Sequence, residues 1–206
     1  MDEHTVSSVD ALEALYGRAS GVAVAKETRV ITPEYRAWIE ASPFCVLATS
    51  GPGGLDATPR GDPAGQFAVV EDERTLLLPD RRGNNRLDSL RNIVADPRVA
   101  FCFLLPGIPE AMRVNGRAVI STDPALLDRF AMRGQAPRTV LVVTVEAVYF
   151  QCAKSVVRSE LWNPARHVPR GAVPSVGALV RALSREPFDS DKYDLEKDAR
   201  VVATLY

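Results

Sequence analysis

The chain has 206 residues, with 25 Lys plus Arg against 26 Asp plus Glu, a net charge of −1 and 46% hydrophobic residues. That fits one globular domain able to bury about 70% of its unfolded surface without a metal or disulfide staple. The balanced charge excludes bulk attraction to nucleic acid or to an anionic membrane. Three cysteines with no C-x-x-C pair and only two histidines exclude a disulfide framework and a thiolate or histidine-rich metal centre. The start, Met1-Asp2-Glu3-His4, is acidic and no apolar run approaches membrane length. Neither a signal peptide nor a transmembrane span is expected, and the expected location is the reducing cytoplasm.

Polar Ser7-Ser8 followed by Val9, Leu12, Leu15 and Tyr16 at helical spacing predicts a short helix. Thr32-Pro33-Glu34 carries a capping hydroxyl, a first-turn proline and an acid against the dipole, so a second helix starts there and ends near Ser42-Pro43. Strands follow: Phe44–Thr49, closed by the hairpin punctuation Gly51-Pro52-Gly53-Gly54, then Leu55–Arg60, Gln66–Val70 and Arg74–Leu78. Asn84–Ala95 predicts a helix with Leu87, Leu90, Ile93 and Val94 on one face, stopped at Asp96-Pro97. Val99–Leu105 is apolar enough for a strand buried on both faces. Ala111–Ser121 and Thr139–Phe150 are the longest strands, separated by a helix that Asp123-Pro124 caps and that turns Leu126, Leu127 and Phe130 inward. Lys154–Trp162, Ser175–Leu183 and a charged tail complete the chain. The pattern predicts a mainly β fold, a small antiparallel β-barrel with flanking helices. Residues 1–41 form an N-terminal helical segment, 42–162 the barrel, and 163–206 a C-terminal helical arm of the same domain.

The segment Leu78-Pro79-Asp80-Arg81-Arg82-Gly83-Asn84-Asn85-Arg86 runs from a strand into the expected helix. Three arginines there oppose the positive end of a helix dipole unless an anion shares the site with them and with the free N–H groups of the first turn. Asn84 or Asn85 can cap that helix. The alternative is a solvated turn whose arginines pair with Asp80 and Asp88. Thr58-Pro59-Arg60-Gly61-Asp62 ends a strand, and Arg60 either joins the same anion site or pairs locally with Asp62. Lys154, Arg158 and Trp162 are four apart, presenting two cations and an indole on one helical face, for an anionic group under a planar ring or as a hydrophobic anchor with a solvated rim. No Rossmann fingerprint, P-loop or nucleophilic triad is present, and no residue stands out as a catalytic acid or base.

Taken together, Phe44–Thr49, Thr58–Asp62, Leu78–Arg86, Asp96-Pro97-Arg98-Val99 and Met112–Ala118 resemble, in this order, the pyridoxamine 5′-phosphate oxidase-like, FMN-binding split-barrel family. Asp80–Arg86 with Arg113–Ala118 and Arg158–Trp162 is similar to a bacterial subgroup of FMN-dependent enzymes. The resemblance implies a split β-barrel homodimer holding FMN in a cleft between subunits. Position by position, it implies that Arg81 and Arg82 bind the phosphate with Asn84, Asn85 and Arg86 nearby. Thr58, Pro59 and Arg60 would line the flavin ring and ribityl chain, and Pro79 and Asp80 would come from the next strand. Arg158 and Trp162 would come from the partner subunit. The implied activity is hydride or electron transfer through FMN to a small-molecule redox substrate, with a reduced nicotinamide or a flavin partner completing the exchange. A deazaflavin-dependent reductase and a non-catalytic flavin-binding or sensing module are the alternatives. The oxidase's own Arg-x-His is absent, since Arg166 and His167 are adjacent and the tail Asp198–Tyr206 does not match, which weighs against vitamin B6 chemistry.

Overall fold

In the computed structural model, residues 4–206 are described; Met1, Asp2 and Glu3, the acidic start of the 1–41 segment, lie outside them. Capping chemistry sets the helices that precede the sheet. α1 (Val9–Tyr16) starts where Ser8 Oγ accepts from the Ala11 N–H, and a short α2 (Gly21–Ala25), not anticipated from the sequence, is capped the same way by Ser20. α3 (Pro33–Ala41) starts at Thr32, whose Oγ1 accepts from the Tyr35 N–H at 3.3 Å. It ends at buried Ser42, whose Oγ lies 2.9 Å from the Phe44 carbonyl and 2.7 Å from that of Leu104. One hydroxyl thus clips the helix to two strands.

Seven antiparallel strands follow: β1 (Phe44–Gly51), β2 (Gly54–Gly61), β3 (Val69–Val70), β4 (Thr75–Asp80), β5 (Arg98–Leu104), β6 (Ala111–Ser121) and β7 (Thr139–Gln151). Their order in the sheet is β2-β1-β5-β6-β7-β4-β3. The fold is therefore mainly β with flanking helices, as expected. Alternation on β1 and β5 sends Cys45, Leu47, Phe101 and Phe103 into one core with Met112, Val114, Val143 and Val148. The phase of β7 changes at a bulge, where Asn115 pairs with Ala147 and Gly116 with Val145, leaving Glu146 as the extra residue. Gly116 is required there: a Cβ would lie 2.2 Å from the Thr144 carbonyl oxygen.

Several expectations shift. Gln66–Val70 contributes only Val69 and Val70 as strand, because the Gln66 N–H closes a turn onto the Pro63 carbonyl. β5 is not buried on both faces; it alternates between buried and half-buried residues. The strand covered on both faces is β4, because α5 (Pro124–Arg129) brings Leu126 and Leu127 over Leu77 in a second small core with Phe130 and Val140.

α4 (Asp88–Ala95) begins four residues later than the sequence predicts. Asn85 and Leu87 hold left-handed backbone (φ 59° and 62°), and Asn84 Oδ1 accepts from the Arg86 N–H, so neither asparagine caps the helix. Ser89 and Ile93 form its buried face, with Leu90 half-buried, while Leu87 and Val94 turn outward.

Past β7 come α6 (Lys154–Ser159), α7 (Val176–Leu183) and α8 (Ser190–Ala203). α7 and α8 pack where Gly177 allows a Cβ-free approach to the Ser190 carbonyl, and the Gly177 N–H donates to Asp194 Oδ1 at 2.9 Å. Among the described residues no helix is long and apolar enough to cross a membrane.

Candidate functional site

The sheet has an open seam. β3 pairs only with Leu76 and Leu77 of β4, so Leu78, Pro79 and Asp80 have a strand neighbour on one side alone, and β2 is the opposite edge of the sheet. Side chains, not a backbone ladder, span the gap. Arg60 Nη1 of β2 donates to Asp80 Oδ1 of β4 at 3.0 Å, and Arg81 Nε donates to Asp62 Oδ2 at 2.5 Å. The local Arg60–Asp62 pair suggested by the sequence is thus replaced by two crossed pairs.

A cavity of about 840 Å³ opens at this seam. The curl of the sheet brings Thr58 and Arg60 from β2 together with Asp80 from β4, and the loop after β4 adds Arg81, Arg82, Asn84, Asn85 and Arg86. Strand alternation keeps Pro59 and Pro79 out of the lining, the first exposed and the second buried. Arg158 and Trp162 lie outside the cavity: Arg158 is exposed on α6, and the Trp162 indole N–H donates to the Ile108 carbonyl at 2.9 Å.

Contrary to expectation, the arginines do not sit at a helix N-terminus, because α4 starts only at Asp88, beyond them. The cradle consists of loop and strand side chains instead. Five guanidinium groups and three carboxylates line it, leaving it net positive. They are not equivalent. Arg60 is paired with Asp80 and Arg86 with Asp88. Arg81 is held by Asp62 and by the Phe130 carbonyl, which accepts from Nη1 at 2.5 Å. Among the described residues Arg82 and Arg138 have no ion pair, which makes them the lining cations most open to a ligand.

Three cavity-lining residues each carry a buried polar atom with no hydrogen-bond partner among the described residues: Arg60 Nε, Arg81 Nη2 and Thr139 Oγ1. A buried donor left unsatisfied costs about 1–3 kcal/mol, so each of these atoms marks local strain in the wall of the seam. Burial pushes the Asp80 carboxyl above the ordinary carboxylate range, against the opposing charge and hydrogen bond of Arg60.

Sequence reasoning missed the far wall. Gln135, Pro137, Arg138 and Thr139 lead into β7, and register sets Thr139 opposite Asp80. Tyr206 also lines the cavity, its hydroxyl donating to Asp62 Oδ1 at 2.9 Å. Burial first, then the hydrogen bond and charge of Asp62, push this phenol up, so it remains a donor at neutral pH. An adjoining cavity of about 400 Å³ shares Arg81, Arg82 and Tyr206 with the first. The only sequence signal for the far wall is the cluster of Gly134, Pro137 and Arg138 before a long strand, which does not say where that strand pairs.

The family model for pyridoxamine 5′-phosphate oxidase matches residues 31–152, from the turn before α3 to just past β7. No curated protein matches the chain in sequence. Solved structures similar in fold include HupZ of Group A Streptococcus, at 20% identity and TM-score 0.45 over 56% of this chain and 90% of that one. General Stress Protein 26 from Bacillus anthracis is similar at 19% identity and TM-score 0.42, over 57% of this chain and 91% of its own. The FAD binding protein from Mycobacterium smegmatis gives 13% identity and TM-score 0.40, over 60% and 97%. At these values the likenesses concern the fold alone.

Proposed function

The chain belongs to the pyridoxamine 5′-phosphate oxidase family, and on that premise we propose that the seam cavity binds FMN and that the protein is an FMN-dependent oxidoreductase. The observation that carries this reading is one net-positive cavity at the open seam, lined by Arg60, Arg81, Arg82, Arg86 and Arg138 with Thr58 and Thr139 beside them. Arg81 and Arg82 suit the phosphate, with Asn84, Asn85 and Arg86 beside them in the same loop. Thr58, Arg60, Asp80 and Thr139 are the polar groups suited to the ribityl chain and ring edge. FMN, when bound, accepts and returns hydride, so the chemistry is the cofactor's and the protein binds, orients and tunes it. Within that division, Arg60 offers a fixed donor whose guanidinium is anchored by Asp80, and Leu90 and Pro137 supply apolar wall that excludes water.

In this reading the protein works as a cytoplasmic homodimer. Arg158 and Trp162, outside the cavity on their own chain, are supplied by the second copy. A small-molecule redox substrate is the reaction partner, with a reduced nicotinamide as donor. The reading does not extend to vitamin B6 phosphate: Arg166 pairs with Glu160 at 3.0 Å, and neither it nor His167 lines the cavity.

The test is an absorption spectrum of the purified protein and the mass of whatever heat releases. A two-band yellow spectrum releasing FMN supports the reading, and Arg82→Glu then weakens FMN at least about tenfold, roughly 1.4 kcal/mol. Release of a deazaflavin redirects the assignment to the deazaflavin-dependent reductases. A colourless protein that fails to bind added FMN refutes it. Turnover of a reduced nicotinamide separates an enzyme from a non-catalytic flavin module.

A further inference from the structure

We propose that Tyr206 is a positioning residue for anion binding, acting through Asp62 to hold the Arg81 guanidinium in place at the wall of the seam cavity. The proposal rests on the reading of that cavity as a phosphate-bearing cofactor site.

Arg81 has three nitrogen positions. Nε is taken by Asp62, Nη1 by the Phe130 carbonyl, and Nη2 is buried without a partner. A guanidinium fixed on two edges and buried on its third has its orientation decided before any ligand arrives. Asp62 is the hinge of this arrangement. Its side chain is 3% exposed, with Oδ2 facing Arg81 and Oδ1 accepting the Tyr206 hydroxyl. Losing the phenol would leave one oxygen of a buried carboxylate without a donor and free the group to rotate. The ring of Tyr206 adds a second restraint, with the guanidinium carbon of Arg81 5.7 Å from its centroid and that of Arg133 5.3 Å away. Tyr206 therefore restrains a cavity-lining cation already held on two edges, whereas Arg82 has no ion pair among the described residues to fix it. A fixed donor loses less conformational entropy when it meets an anion, which is the basis of preorganised binding.

The experiment uses the full-length protein and three probes: inorganic phosphate, FMN and riboflavin, which lacks the phosphate. Affinities are measured by calorimetry or flavin fluorescence for wild type, Tyr206→Phe and Tyr206→Ala. The expected result is a several-fold loss of phosphate and FMN affinity in Tyr206→Phe and about tenfold in Tyr206→Ala, with riboflavin affinity unchanged. In an Arg81→Ala background, Tyr206→Phe has no further effect. Equal losses for FMN and riboflavin would mean that Tyr206 contacts the ring itself, and unchanged phosphate affinity would mean that it does nothing for Arg81; either overturns the proposal. Tyr206→Phe keeps the ring and its packing, so the test stands even where Tyr206→Ala does not fold. A wild type that binds phosphate but no flavin defeats the cofactor reading while the phosphate series still decides this one. A wild type that binds no phosphate defeats the role assigned to Tyr206.

Discussion

Arg60→Ala removes one half of the ion pair that spans the open seam. Breaking a fully buried pair costs about 3–5 kcal/mol and an exposed one about 0–1. Arg60 and Asp80 are 28% and 16% exposed, so the cost lies between these limits, at about 1–3 kcal/mol. For a chain of this size that lowers the thermal midpoint by roughly 2–12 °C. The sign of its pH dependence follows from Asp80. Burial already raises this carboxyl above its unfolded value near 3.9, and Arg60 is what opposes the rise. A raised acid contributes stability below its unfolded pKa and loses it as pH climbs through the folded pKa. Removing Arg60 raises Asp80 further and widens that window, so the deficit of the variant grows from about pH 4 toward neutrality. Thermal melts of the cofactor-free protein at several pH values measure it. Adding Asp80→Asn to Arg60→Ala should restore a flat profile and part of the midpoint. A deficit independent of pH, or a double variant no better than Arg60→Ala alone, would refute the account of a charged pair closing the seam.

Gly116→Ala places a Cβ 2.2 Å from the Thr144 oxygen, a backbone atom that cannot swing aside. Overpacking plus a lost ladder bond should cost about 2–4 kcal/mol, read as a lower denaturant midpoint at unchanged slope; an unmoved midpoint would contradict this close approach. The thiols should differ in reactivity. The Lys154 N–H, foremost, lowers the exposed Cys152 thiol, whereas burial raises Cys45 far above its ordinary value and Cys102 less. A disulfide reagent should therefore label Cys152 promptly in the native protein and Cys45 only on unfolding; equal rates would show that Cys45 is not sealed in the core.

The sequence by itself determined whatever depends on residues a few positions apart. Ser8, Thr32, Asp123 and Ser175 each cap a helix where a hydroxyl or carboxylate precedes an apolar period. Alternation and glycine punctuation placed β1, β2, β6 and β7 within a residue or two, and the arginine-rich loop was legible as the basic part of the site. Where local rules competed, the reading slipped. Asn84 and Asn85 look like helix caps, but left-handed Asn85 and Leu87 delay α4, and the cradle comes from side chains rather than from a helix end. Tertiary structure alone decided which strand edges stay open, that Asp80 faces both Arg60 and Thr139, and that Tyr206 reaches Asp62 from 144 positions away. Caps and periodicity act through bonds that close over three or four residues and are written locally. The crossed ion pairs and the basic wall of the cavity arise only when the curl of the sheet brings distant edges together.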